Sequence, residues 1–146
     1  MKRDAKRDSM GKKKASETFR AQTILVPVDF SDPSRNALRY ARSLAEQTGG
    51  KLILFYALEP VEAAKAAELQ LQKICDEEGV AESLVEHTIV RGGAAHTQIA
   101  DLAEKLGADL IVISTHGNTG IKHVLMGSTA ERVVRHARCP VLVVRA

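Results

Sequence analysis

The feature that most constrains the fold of this chain is the alternation of short apolar runs with segments of helical periodicity. The runs indicate five β-strands, at Ile24–Asp29, Leu52–Ala57, Leu84–Val90, Asp109–Ile113 and Val141–Val144. The first run is typical of a parallel strand that is buried on both faces, whereas Leu84–Val90 alternates between apolar and polar residues. Strands that alternate with helices are joined by right-handed crossovers and pair in parallel. The sequence therefore predicts an α/β domain built on a five-stranded parallel sheet.

Start and stop signals bound the helical segments between these runs. Asp32-Pro33 predicts an N-cap followed by proline at the first helical position, and Gly49-Gly50 predicts the end of that helix. The second helix is predicted from Pro60 to about Glu78, because this stretch is rich in strong helix formers. Apolar residues at helical spacing indicate the buried faces of two further helices: Ile99, Leu102, Ala103 and Leu106, then Ala130, Val133, Val134 and Ala137.

The connection between the fourth strand and the fourth helix combines glycines with a helix start. It runs Ser114-Thr115-His116-Gly117 and, after nine intervening residues, Gly127-Ser128. Glycine lacks Cβ, so the backbone at such positions can approach a ligand closely. Ser128 and Glu131 have the spacing of a capping box with Ser128 as the N-cap. The N–H groups at such a helix start can bind phosphate, although the same pattern also serves an ordinary strand–loop–helix connection.

Composition limits the class of protein. The 146 residues are 45% hydrophobic and 27% charged, which fits one domain with a packed core. No apolar run approaches the roughly 20 residues that span a bilayer, so no membrane contact is expected. The two cysteines, Cys75 and Cys139, form no CxxC motif and are interpreted as filler in apolar packing. With so few cysteines, a reducing cytoplasm is the expected location.

The net charge of +3 is concentrated at the N-terminus. Residues 1–22 carry a net charge of +5, which leaves the other residues at −2. This segment has almost no apolar residues, so residues 1–22 are predicted to be a basic, disordered tail and residues 23–146 the folded domain. Attraction of the tail to nucleic acid or to an anionic surface is the alternative interpretation.

Two motifs resemble those of the universal stress protein family. Its ATP-binding members carry Gly-x2-Gly-x9-Gly-Ser/Thr before a helix and a last strand of the type Cys-Pro-Val-Leu-Val-Val. This chain has Ser114-x2-Gly117-x9-Gly127-Ser128, so serine replaces the first glycine. The segment Ile24–Ser31 is similar to the family's first strand and its acidic end. The resemblance runs from about Thr23 to Arg145.

The resemblance implies a fold and a site. It implies an open parallel sheet of order 3-2-1-4-5 with helices on both faces, which is Rossmann-like and similar to the adenine nucleotide alpha hydrolases. The strand order then switches between strands one and four, and ligands bind at such switch points. By the same resemblance, the backbone around Val28 and Ala57 contacts the adenine ring, and Asp29 accepts hydrogen bonds from the ribose. From its position alone, Asp29 could instead cap the next helix. The family's phosphate contacts correspond to Ser114, Gly117, Gly127, Ser128 and Thr129.

The predicted function is that of an ATP-binding regulatory protein of the stress response, with ATP bound alone or with Mg²⁺. The sequence shows no residue positioned as a general base, so we expect at most slow hydrolysis of ATP. The family resemblance also implies a homodimer through Val141–Val144. The alternative is a stress protein that binds no nucleotide and acts through dimerisation and protein partners.

Other classes of nucleotide and RNA-binding protein are less favoured. The chain has no P-loop and no Gly-x-Gly-x-x-Gly after its first strand. Val90-Arg91-Gly92 offers no aspartate to a phosphoacceptor receiver domain. Gly117–Gly120 has the GXXG pattern of an RNA-binding KH domain, but it follows a strand rather than a helix.

Lys122 is either a phosphate partner or a solvated lysine. The histidines, His87, His96, His116, His123 and His136, show no metal-binding spacing or other constellation.

Overall fold

The computed structural model describes residues 18–58, 63–117 and 126–146. Its strands form one sheet of order β3-β2-β1-β4-β5, in which every pairing is parallel. The five strands are β1 (Thr23–Pro27), β2 (Lys51–Ala57), β3 (Val85–Arg91), β4 (Leu110–Ser114) and β5 (Val141–Val144). The predicted fold class and strand order are therefore confirmed.

Helices connect the strands on both sides of the sheet. The described residues contain α1 (Asp32–Thr48), α2 (Ala64–Glu77), α3 (Ala95–Lys105) and α4 (Ser128–His136), with a short 3₁₀ turn before β3. The predicted start of α2 at Pro60 falls among residues 59–62, outside the described residues. Within the part of the chain that the structure describes, no helix has both the length and the apolar character needed to cross a bilayer.

The sheet has two apolar faces because successive side chains of a strand point in opposite directions. Ile24 and Val26 of β1 pack with α1 and α2 on one face. Leu25 packs with α3 and α4 on the other. On α4 the predicted face is partly wrong: Ala130 and Val133 are buried, but Val134 is 44% exposed.

The start of α1 differs from the prediction by one residue. Ser31, not Asp32, is the N-cap: it is extended, and its Oγ accepts a hydrogen bond from the Ser34 N–H at 3.2 Å. Asp32 is the first helical residue, where its negative charge meets the positive end of the helix dipole. At the other end, Gly49 has φ 72° and terminates α1 in the left-handed conformation, as predicted.

Candidate functional site

A cleft of about 230 Å³ opens beyond the carboxyl ends of β1 and β4. These neighbouring strands lead into helices on opposite faces of the sheet, so their connections separate and leave a crevice. The cleft is lined by every residue that the sequence assigned to the site: Val28, Asp29, Ala57, Ser114, Gly117, Gly127, Ser128 and Thr129. Segments about 85 residues apart in the sequence thus meet at one place.

Asp29 is fixed by hydrogen bonds to the first turn of α1. The strand ends at Pro27, two residues earlier than predicted, because the Asp29 N–H donates to Ser34 Oγ at 3.0 Å rather than to a neighbouring strand. One carboxylate oxygen, Oδ1, accepts from both the N–H and the hydroxyl of Ser31, at 3.1 and 2.5 Å. The alternative role of Asp29 as the helix cap is wrong, since Ser31 occupies that position.

A left-handed residue makes this turn possible. Phe30 has φ 66°, a conformation that residues other than glycine, asparagine and aspartate rarely adopt. Its ring meets the ring of Tyr56 edge to face, with centroids 4.7 Å apart, and this contact helps to offset the backbone strain. Strained residues held by packing cluster at functional sites, and this one lies between Asp29 and the cap of α1.

The loop that follows β4 approaches the other carboxylate oxygen of Asp29, Oδ2, at Gly117. A Cβ added to Gly117 would fall on Asp29 Oδ2, so no larger residue fits there while the carboxylate keeps its position. Gly117 therefore brings the end of β4 and the end of β1 into direct contact across the cleft.

Gly127 is required by close packing rather than by an unusual backbone conformation. Its φ is −67°, and its N–H donates to the Thr115 carbonyl oxygen at 2.5 Å. A Cβ at this position would lie 2.9 Å from the same oxygen. The predicted capping box is wrong: Gly127 is the N-cap, Ser128 is already helical, and Glu131 pairs with Arg135 at 2.8 Å. Gly127 takes the cap position because its bond to Thr115 anchors the chain there.

The first turn of α4 presents donors to the cleft. The N–H groups of Ser128, Thr129 and Ala130 precede the first intrahelical bond, which runs from the Glu131 N–H to the Gly127 carbonyl oxygen. Within the described residues these three N–H groups have no hydrogen-bond partner. All three residues line the cleft, and the positive end of the helix dipole reinforces their donors.

Ser114 stands where the family motif has glycine, and its side chain is used within the loop. It is 8% exposed, and its hydroxyl donates to the His116 carbonyl oxygen at 2.8 Å. The loop is also tied to the C-terminal strand, since the Thr115 N–H donates to the Val144 carbonyl oxygen at 2.9 Å. Serine is therefore accommodated by the loop and stabilises its turn.

Sequence reasoning missed several residues of the cleft. Ser34, which is 2% exposed, both lines the cleft and holds the Asp29 backbone. The spacing Asp29-x-Ser31-x2-Ser34 was a usable signal for this network. Ala95 and Ile99 of α3 complete the wall, but only the packing of α3 on this face reveals them.

Of the other side chains considered from the sequence, His116 lines the cleft, whereas the two cysteines do not. Burial raises the pKa of Cys75 to about 11 and also raises that of Cys139, so both thiols stay protonated and unreactive at neutral pH. This agrees with their interpretation as packing residues. Lys122, considered as either a phosphate partner or a solvated lysine, and His123 lie outside the described residues. His96 contacts Arg132 on the surface of α3 and α4.

Comparisons with known proteins agree with this architecture. The family model described as the universal stress protein family matches residues 20–145. A universal stress protein of Methanocaldococcus jannaschii is 33% identical over 141 residues, which cover 84% of this chain and 81% of that protein.

Two solved structures with the same fold contain nucleotides. One is a universal stress protein in complex with cAMP, with a TM-score of 0.67 and 29% identity, covering 84% of this chain and 95% of that one. The other is the universal stress protein from Archaeoglobus fulgidus in complex with dAMP, with a TM-score of 0.62 and 26% identity, covering 86% of this chain and 98% of that one. From its sequence, its fold and these relatives, the chain belongs to the universal stress protein family.

Proposed function

We propose that this protein is an ATP-binding regulator of the stress response whose nucleotide occupies the cleft between β1 and β4. The observation that carries the proposal is that Asp29 lines the same cleft as the first turn of α4, whose three leading N–H groups have no partner among residues 18–58, 63–117 and 126–146. The complexes of two relatives with cAMP and dAMP support an adenine nucleotide as the ligand.

Each part of the cleft matches one part of a nucleotide. In this proposal the apolar wall near Val28 and Ala57 receives the adenine ring. Asp29 accepts hydrogen bonds from the ribose hydroxyls, since an ionised carboxylate is a hydrogen-bond acceptor and Ser31 holds its Oδ1 in place. The first phosphate lies against the N–H groups of Ser128 and Thr129, near the glycines of the loop.

The cleft's size bears on the length of the phosphate chain. Its volume of about 230 Å³ lies below the roughly 300–1,000 Å³ of typical ligand pockets. A nucleoside with its first phosphate occupies the cleft, and any further phosphates extend past Ser128 towards solvent. Within the described residues, no group of three or more His, Cys, Asp or Glu side chains is placed to hold a metal. Mg²⁺ would therefore arrive bound mainly to the phosphates, as is usual for this ion.

The first experiment asks whether the purified protein holds or binds a nucleotide at all. Nucleotide extracted from the protein is identified by mass spectrometry, and ATP and AMP are titrated into nucleotide-free protein by calorimetry. Asp29→Ala should weaken binding by about 1–3 kcal/mol, the range for hydrogen bonds to a charged group. Asp32→Ala is the matched control, because Asp32 is a neighbouring carboxylate that does not line the cleft.

A second variant tests the phosphate side. Gly127→Val should abolish binding, because its side chain would meet the Thr115 carbonyl oxygen and displace the loop from the start of α4. Affinity equal to that of the wild type would move the site elsewhere.

The alternative function is regulation through dimerisation and protein partners without a nucleotide. The engagement of the Ser114 hydroxyl within the loop is the observation that favours it, since this serine replaces a motif glycine and does not offer its proton to a ligand. Absence of both extracted and titrated nucleotide in the wild type would support this alternative.

A further inference from the structure

A groove runs along α3 and α4 and joins the cleft at Ser128, which lines both. The two helices start at the same end of the groove, since Ala95 and Ser128, their first residues, both line the cleft. The groove carries the side chains of three arginines, Arg132, Arg135 and Arg138. A ligand that leaves the cleft past Ser128 enters this groove at once.

Two of the three arginines are neutralised by carboxylates. Arg135 pairs with Glu131 at 2.8 Å, and Arg138 pairs with Glu104 at 3.1 Å. Arg132 instead contacts the imidazole of His96, with Nη1 lying 2.9 Å from Nε2 and 3.4 Å from Nδ1. Within the described residues, no carboxylate lies at ion-pair distance from Arg132. An imidazole carries no negative charge, so the contact orients the guanidinium and leaves its charge uncompensated.

The position of Arg132 places this charge at the cleft end of the groove. It follows Ser128 by four residues, so the two side chains are neighbours on the same face of α4. Its partner His96 directly follows Ala95 in the first turn of α3. The third carboxylate of the groove, Asp101, lies five residues further along α3, about 7–8 Å from His96 along the helix axis.

We propose that Arg132, oriented by His96, binds the phosphates beyond the first of a nucleotide held in the cleft, and so selects nucleoside triphosphates over monophosphates. This inference rests on the proposed function. Arginine suits the role because its planar, permanently charged group donates two parallel hydrogen bonds to phosphate oxygens. The flexible side chain reaches from its place one turn after Ser128 to an anion at the start of the helix.

The test compares ATP, AMP and inorganic tripolyphosphate, titrated by calorimetry into the full chain and three variants. Arg132→Gln should weaken ATP binding about tenfold or more and leave AMP within about twofold, as expected for the loss of charge-assisted hydrogen bonds made only to the outer phosphates. Arg132→Lys should recover part of the loss, because lysine restores the positive charge but not the two parallel N–H donors of the guanidinium group. Arg135→Gln is the matched control, since Arg135 is paired with Glu131 and lies further from the cleft than Arg132 does. Melting temperatures establish that each variant is folded.

The results separate this inference from the proposed function. Equal losses for Arg132→Gln and Arg135→Gln, or equal losses of ATP and AMP in Arg132→Gln, would overturn the role of Arg132. If the wild type bound tripolyphosphate through Arg132 but no adenine nucleotide, the contact of Arg132 with polyphosphate would stand, whereas its selection of nucleoside triphosphates and the proposed function would both fail. A wild type that binds none of the three ligands would overturn both.

Discussion

At the scale of single residues, Gly117 and Asp29 approach each other closely, and in the proposed function they lie against different parts of the nucleotide. Gly117 leaves room for Asp29 Oδ2, while Oδ1 is held by Ser31. In Gly117→Ala, the new methyl group must push the carboxylate away and break its bonds to Ser31. We therefore expect Gly117→Ala to weaken nucleotide binding by about as much as Asp29→Ala, roughly 1–3 kcal/mol by calorimetry.

A double-mutant cycle distinguishes this coupling from a direct contact of Gly117 with phosphate. If the alanine acts by displacing Asp29, then adding Gly117→Ala to Asp29→Ala should cost little more, because the obstructed group is already gone. Additive losses would mean that Gly117 contributes independently of Asp29, and the coupling would be refuted.

The residues of the cleft differ in how far the sequence could reveal them. Asp29, Gly117 and Gly127 stand in motifs whose order along the chain is informative, and all three line the cleft. The left-handed conformation of Phe30 leaves no such trace, since phenylalanine is not a residue that favours positive φ. The cap of α4 was misplaced by one residue because it depends on the bond between Gly127 and Thr115, a contact between residues 12 apart in the sequence.

At the scale of elements, Glu78 joins the end of α2 to three arginines on one face of α1. Its carboxylate bonds with Arg39 and, at 3.3 Å, with Arg35, and its carbonyl oxygen accepts from Arg42 at 2.9 Å. The hydrogen bond from Arg39, followed by that from Arg35, holds the pKa of Glu78 below its usual value. A carboxylate with a lowered pKa in the folded state stabilises the fold above its unfolded pKa, and the contribution is lost as the pH falls through the folded value.

We expect Glu78→Gln to lower the melting temperature by a few degrees at pH 7. The difference from wild type should shrink as the pH falls below about 4, where the carboxyl group protonates in the unfolded chain and then in the folded one. Glu104→Gln is the control: its partner is Arg138, both side chains are more than half exposed, and its removal should change the melting temperature less. A pH-independent difference for Glu78→Gln would show that packing, not charge, is responsible.

The sequence predicts which segments form strands, but not the residue at which each strand begins or ends. The runs of β1, β2 and β4 are buried on both faces and stand out as apolar segments. Each observed strand lies within two residues of its predicted bounds. The ends depend on contacts that local sequence does not encode, as where the Asp29 N–H turns to Ser34 and stops β1 at Pro27.

At the scale of the whole molecule, we predict that the basic N-terminal segment is not needed for folding. Ala21 must be retained, because it is 3% exposed and its carbonyl oxygen accepts a hydrogen bond from the Thr48 hydroxyl at 2.9 Å. A chain that begins at Thr18 should therefore melt within about 4 °C of the full chain, which corresponds to less than about 1 kcal/mol. A larger decrease would show that residues 1–17 stabilise the domain.

The last prediction is that two copies of the chain associate through β5. This strand lies at one edge of the sheet and pairs only with β4 among the described residues, so its outer N–H and C=O groups are available to a second strand. Leu142, 37% exposed, adds apolar surface, and a two-fold axis would pair the two copies antiparallel.

Leu142→Lys tests this edge better than a change at Val143, which packs against the core of the α3–α4 face. Because symmetry places both new charges in the same interface, we expect dimer affinity, measured by analytical ultracentrifugation, to fall about tenfold or more. Leu69→Lys is the control, since Leu69 is 66% exposed on α2, which packs near β3 at the opposite edge of the sheet. A wild-type protein that sediments as a monomer at micromolar concentration would contradict the prediction. Equal weakening by the two lysines would locate the interface away from β5.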